Sequence, residues 1–183
     1  MSFDLNIISF GQKKVSEFKN NLKIKMLDEV NHYGAGRYFE IFPFMCKMPG
    51  IWYSAVIDQD GIRDAVPICG SNWDLPYESL PIPYWVTNDH IKDELTQLYI
   101  KEPYKKEFKE IIETLIEDSP EKTILFQSRY QCYECEIIQG VLSLEDFFDK
   151  LEEGKILFNV CYIIRKENAI YLDGNIEELD DDW

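Results

Sequence analysis

From Ile156 to Ile164 nearly every position is apolar, as in a strand buried on both faces. Thr123 to Tyr130 also reads as a strand. Between them the period changes. Leu144, Phe147, Phe148 and Leu151 recur at helical spacing and would face a core. Ser143 with Asp146 resembles a capping box, with Asp in place of the usual Glu or Gln, and Gly154 is well placed to end the helix. Glu134 to Leu142 is expected to be the antiparallel neighbour of Thr123–Tyr130, turning near Cys132–Tyr133, although the spacing from Tyr130 to Val141 also fits a helix. Pro120 to Lys166 thus reads as strand, strand, capped helix, strand, and the rest of the chain is organised around it.

The same reading extends outward. Phe3–Phe10 predicts a short strand ended by Gly11. Val15, Phe18, Leu22, Met26, Leu27 and Val30 have spacing that suits a helix between Lys13 and Tyr33, with a break at Asn20–Asn21. Gly34 and Gly36 mark a turn, and Tyr38–Phe44 is expected to be extended, with Pro43 at an edge or a strand end. Ile51–Ile57 and Ile62–Ile68 flank Asp60-Gly61, which signals a hairpin. Thr87 or Asn88 can cap a helix carrying Ile91, Leu95 and Leu98. Pro103 suits the first turn of a further helix, whose apolar face is Tyr104, Phe108, Ile111, Ile112, Leu115 and Ile116. Ala169–Leu172 is expected to be the last strand, followed by an acidic segment from Gly174 onward. These elements predict an α+β fold, a mostly antiparallel sheet with three to four helices packed against it, in a single domain over residues 1–183.

Charge narrows the partners. The chain has 19 Lys and Arg against 34 Asp and Glu, a net charge of −15. Such a surface repels phosphates, which argues against direct binding of nucleic acid, and it favours encounter with a basic protein. Met1–Phe10 has no basic region followed by an apolar one, and no apolar run approaches the length of a membrane span, so a soluble cytosolic protein that does not engage membranes is expected. The five cysteines, Cys46, Cys69, Cys132, Cys135 and Cys161, are an odd number and are expected to be reduced.

The chemistry-bearing motifs are incomplete. Cys132-x-x-Cys135 has no second close pair of ligands, as zinc would need, and no clear strand-to-helix context, as a redox dithiol would need. Asp58-x-Asp60-Gly61 starts like a calcium loop but lacks the later ligands and the closing glutamate, so it reads as a turn. His32 and His90 stand apart from any nucleophile-elbow pattern. Gly34-x-Gly36 has no third glycine, and no phosphate-binding loop is present, so no cofactor is inferred. No catalytic residue is nominated, and the expectation is a protein that is not an enzyme.

The stretch from Asp58 to Asp89 remains. Its Pro76, Pro81 and Pro83 rule out a regular helix across the aromatic-rich part. Binding hot spots favour Trp and Tyr, and acidic rims speed association with basic partners. The candidate partner-binding residues are therefore Asp58, Asp60, Asp64, Trp73, Asp74, Tyr77, Glu78, Tyr84 and Trp85.

Ile137 to Ile164, IIQGVLSLEDFFDKLEEGKILFNVCYII, resembles the strand–helix–strand cores of small cytosolic immunity proteins of bacterial polymorphic-toxin systems. The short, acidic, aromatic-rich chain has the same habit. The resemblance implies a stoichiometric inhibitor, a monomer or weak dimer, that binds a cognate protein toxin with a basic surface and occludes its active site. In such an inhibitor acidic groups stand in for substrate phosphates when the toxin is a nuclease. Two other readings stand beside it: an accessory or assembly protein of a phage or mobile element, and a small carboxylate- or cysteine-dependent enzyme.

Overall fold

The structure, a computed structural model, describes residues 3–18, 21–28, 50–72, 80–84, 86, 95–130 and 137–167. Its centre is strand β1 (Phe3–Ser9), which pairs antiparallel with β3 (Ile51–Gln59) on one side and with β7 (Thr123–Tyr130) on the other. The remaining strands are β2 (Lys25–Asp28), β4 (Ile62–Asp64), β5 (Cys69–Asn72), β6 (Gln97–Ile100), β8 (Ile137–Ser143) and β9 (Val160–Arg165). Seven strands form the main sheet in the order β2-β3-β1-β7-β9-β8, with β4 hydrogen-bonded to β3, while β5 and β6 form a separate pair. Phe158 N–H donates to Thr96 O and Leu98 N–H donates to Ile156 O, both at 2.8 Å, and these bonds tie the small pair to the segment leading into β9.

Strict alternation sorts the side chains onto two faces. Leu5, Ile7, Tyr53, Ala55, Phe126, Tyr162 and Ile164 point into the main core. Ile8, Leu125 and Cys161 point the other way, with Trp52, Ile138 and Ile163 packed beside them. A bulge between Gln139 and Val141 in β8 keeps both Ile137 and Leu142 in the main core, although they are five positions apart. Without the extra residue they would lie on opposite faces.

Two helices cover the first face. Helix α2 (Glu102–Asp118) has Pro103 in its first turn and buries Phe108, Ile111, Ile112, Leu115 and Ile116. Helix α3 (Leu144–Glu152) buries Phe147 and Leu151. Ser143 caps α3: its Oγ accepts from Asp146 N–H at 3.0 Å, satisfying one free backbone donor, and donates to Asp146 Oδ2 at 2.7 Å in a side-chain pair. Gly154, at φ +69°, ends the helix, and Lys155 N–H closes back on Lys150 O at 2.7 Å.

The second face is polar across the middle. One cross-strand row runs Ser54, Asn6, Gln127, Cys161 through β3, β1, β7 and β9. Ser54 Oγ donates to Asn6 Oδ1 at 2.9 Å. The next row pairs Asp4 with Arg129, whose Nη2 lies 2.8 Å from Asp4 Oδ2 in a largely buried ion pair. Gln127 is fully buried, yet neither polar atom of its carboxamide has a hydrogen-bond partner among the described residues.

Four expectations need correction. Among the described residues strand content exceeds helix content, 44% against 24%, and two helices longer than a single turn stand in place of three to four, so the α+β class stands with fewer helices. The helix expected from Lys13 to Tyr33 reduces, among the described residues, to a single turn, α1 (Val15–Phe18). Asn21 then turns at φ +74°, and Lys25–Asp28 pairs with β3 instead. Ladder hydrogen bonds to Tyr53–Val56 override a helical spacing that Met26 and Leu27 satisfy equally well as strand. The helix expected through Leu95 and Leu98 likewise gives way to β6 in its described part, where Gln97–Ile100 pairs with Cys69–Asn72. Finally, β8 is not the antiparallel neighbour of β7. It runs parallel to β9, which lies between them, because α3 carries the chain back across the sheet before β9 is laid down. Tyr38–Phe44 and Ala169–Leu172 lie outside the described residues.

The unsatisfied carboxamide makes a test of the second face. Gln127→Met keeps the length of the side chain and removes both stranded polar atoms. It is expected to raise stability by about 1 kcal/mol, read as a higher urea midpoint with an unchanged slope. A lower midpoint would show that the carboxamide is hydrogen-bonded in the folded chain.

Candidate functional site

The β3–β4 hairpin carries the described acidic candidates. Ile57 pairs with Asp64, Asp58 with Arg63 and Gln59 with Ile62, leaving Asp60 and Gly61 as a two-residue turn. Their φ angles of +53° and +80° are those of the turn whose twist matches a right-handed hairpin, and Asp and Gly tolerate them. The Asp60-Gly61 spacing therefore forms the hairpin it predicts. The calcium-loop likeness does not extend into three dimensions: among the described residues no three His, Cys, Asp or Glu side chains are grouped to hold a metal.

The three carboxylates do different things. Arg63 Nε lies 3.2 Å from Asp58 Oδ2 in an exposed pair, which orients both side chains and stabilises little. Asp64 Oδ1 accepts from Val66 N–H at 2.8 Å and so shapes the turn that follows β4. No hydrogen bond or ion pair engages the side chain of Asp60 among the described residues, and it stands exposed at the tip. Beside it, Ile62 is 71% exposed, the most exposed large hydrophobic residue described. Single exposed apolar residues are ordinary on folded proteins. What sets Ile62 apart is its position beside a two-residue turn, paired with Gln59 across the hairpin and outside the hydrophobic core.

Of the other candidates, Tyr84 is described and is 67% exposed, next to a turn in which Val86 N–H donates to Pro83 O at 2.9 Å. Leu80 and Ile82, just before it, pack on the main core and anchor this segment. The described contacts do not bring Tyr84 to the hairpin. Trp73, Asp74, Tyr77, Glu78 and Trp85 lie outside the described residues. Asp58, Asp60 and Asp64 are thus the part of the candidate set that the structure brings together. Ile62 was missed because the apolar run Ile62–Ile68 reads as a buried strand, whereas β4 ends at Asp64 and the chain then turns so that Ala65 and Ile68 enter the core.

The cysteines bear on the enzymatic alternative. Cys69 is buried at the start of β5, its Sγ donating to Ala65 O at 3.5 Å, and burial drives its thiol well above the ordinary value of 9.0. A thiol held protonated in this way is a poor nucleophile. Cys161 is buried within the polar row of the second face. Cys46, Cys132 and Cys135, with His32 and His90, lie outside the described residues.

A second surface feature, unforeseen from sequence, is a groove of about 350 Å³ between α2 and α3. Lys105, Lys106 and Lys109 line one side, Phe148, Asp149 and Glu152 the other. Lys105 is held by Glu102 at 2.7 Å and by Glu152 at 3.0 Å, and these bonds raise its pKa. Lys109 Nζ sits 4.9 Å from the centre of the Phe148 ring, a cation–π distance. The available signal was the run Lys101, Lys105, Lys106, Lys109 in a chain that is otherwise strongly acidic.

No known protein family, curated protein or solved structure matches this chain.

Burial of Cys69 and Tyr162 sets an alkaline limit on stability. Tyr162 Oη accepts from Leu157 N–H at 2.9 Å, and burial raises its phenol above the ordinary value of 10.0. Both groups keep their protons more tightly in the folded chain than in the unfolded one, so their contribution is intact at neutral pH. It is lost as the unfolded chain ionises, first at Cys69 near pH 9.0 and then at Tyr162 near pH 10.0. Unfolding free energy is expected to fall above pH 9 by up to about 1.4 kcal/mol per pH unit for each group. Urea titrations between pH 7 and pH 10.5 check this, and a flat profile would contradict it.

Proposed function

We propose that this chain is an immunity-type binding protein, which neutralises a basic toxin domain by covering its active site and performs no catalysis. The observation that carries this reading is the β3–β4 hairpin, which presents exposed Ile62 beside the tight Asp60-Gly61 turn, with Asp58 on the opposite face. Preformed shape lowers the ordering cost of association. An apolar anchor gains from desolvation, by about 1.5–3 kcal/mol for a fully buried isoleucine. Flanking carboxylates complement a cationic cleft and steer the encounter. The net charge of −15 adds a long-range field of the same sign. The partner is therefore read as a nuclease-like toxin domain, in whose active site carboxylates replace phosphates.

The reading is tested by co-expressing the chain with any toxin domain found encoded beside its own reading frame. Growth is expected to be restored by the intact chain. Lack of rescue, together with no complex between the purified proteins, would overturn the reading. Within the complex, Ile62→Ala is expected to speed dissociation about tenfold, the equivalent of ~1.4 kcal/mol. Asp60→Asn, which tolerates the same turn geometry, is expected to slow association at low salt and to have little effect at high salt. Stopped-flow or surface-binding kinetics at two ionic strengths separate these effects. Unchanged rates in both variants would remove the hairpin from the interface.

A further inference from the structure

The α2–α3 groove combines three lysines and apolar surface along with two carboxylates, Asp149 and Glu152. Lys105 is already held by Glu102 and Glu152. Lys106 and Lys109 have no carboxylate partner among the described residues, although both line the groove. Phe148, Ile100 and Leu151 supply its apolar part. Such a surface fits a segment with several carboxylates and interspersed large apolar residues.

The chain carries such a segment. From Asn175 to Trp183 the sequence is NIEELDDDW, with Glu177, Glu178, Asp180, Asp181 and Asp182, and with Ile176, Leu179 and Trp183 among them. It has no basic residue. The described structure leads the chain to the right helix. Lys166 N–H donates to Lys122 O at 3.0 Å, and Lys166 Nζ pairs with Glu117 in the last turn of α2. Lys106 lies eleven residues before Glu117. That is about three turns, so the two share a face about 16 Å apart. The eleven residues from Lys166 to Glu177 span up to about 35 Å when extended, which covers this distance with slack.

We infer that the acidic segment Asn175–Trp183 docks in the α2–α3 groove of its own chain, its carboxylates on Lys106 and Lys109 and its apolar side chains against Phe148. Tethering makes the encounter intramolecular, with an effective concentration of about millimolar for a short linker, so a few weak contacts suffice. The docked segment neutralises the lysine cluster. This inference is independent of the proposed toxin partner, since it needs only the isolated chain.

Zero-length carbodiimide crosslinking of the full chain, mapped by peptide mass spectrometry, tests it. Lys105–Glu152, at 3.0 Å, is the internal reference. Links from Lys106 and Lys109 to the carboxylates between Glu177 and Asp182 are expected in the monomer fraction at low salt. Their yield should fall at least severalfold in Phe148→Ala, which leaves every crosslinkable group in place, while the reference link persists. The inference is overturned if the reference forms without the tail links. It is also overturned if the tail joins lysines indiscriminately over the surface, if the tail links survive Phe148→Ala undiminished, or if they occur only in covalent dimers. The last outcome would make the occupant a second copy of the chain.

Discussion

The packing of one ring, Phe126, holds the two layers of this protein together. It lies in β7, between the flanking strands β1 and β9, and meets Phe108 of α2 at 5.8 Å and Phe147 of α3 at 5.2 Å, edge-on in both contacts. Both helices are thus referred to a single fully buried side chain in the middle of the sheet. Edge-on ring pairs add to burial and fix orientation as well. The groove between the helices inherits its position from that contact.

The second face follows other rules. Its middle is a row of Ser54, Asn6 and Gln127, next to the buried Asp4–Arg129 pair, and apolar contact is concentrated around Ile8 and Leu125. Buried polar groups are costly when mispaired and so penalise a slipped register. Shifting β1 by one residue against β7 would separate Asp4 from Arg129 and turn Leu5 and Ile7 out of the main core. The functional consequence lies in β3. Its first residues pair with β1, its middle with β2 and its last three with β4, so the hairpin is an extension of a strand whose register is fixed at its base.

Legibility in the sequence tracked the range of the controlling interaction. The cap of Ser143 on Asp146, the turn at Asp60-Gly61, the Pro103 start of α2 and the Gly154 stop of α3 are settled within a few residues, and each was readable. Lys25–Asp28 and Gln97–Ile100 were read within helices because Met26, Leu95 and Leu98 satisfy a helical spacing. Their partners, β3 and β5, lie more than twenty residues away, and no local signal marks that pairing. The order β7-β9-β8 was hidden for the same reason. At the surface, carboxylates at 58, 60 and 64 could be nominated from composition, but the exposure of Ile62 depends on where β4 stops. The lysine groove exists only once α3 lies beside α2.

One face of the sheet is locked by Phe126 and the helices, and its third strand projects an acidic hairpin for which we propose a basic partner. Hydrogen–deuterium exchange of the full chain, alone and bound to the proposed toxin partner, tests this most directly. The account predicts new protection concentrated at residues 57–64, with the strands around Phe126 slow to exchange in both states. Protection that leaves 57–64 unchanged and appears on α2 and α3 would contradict it.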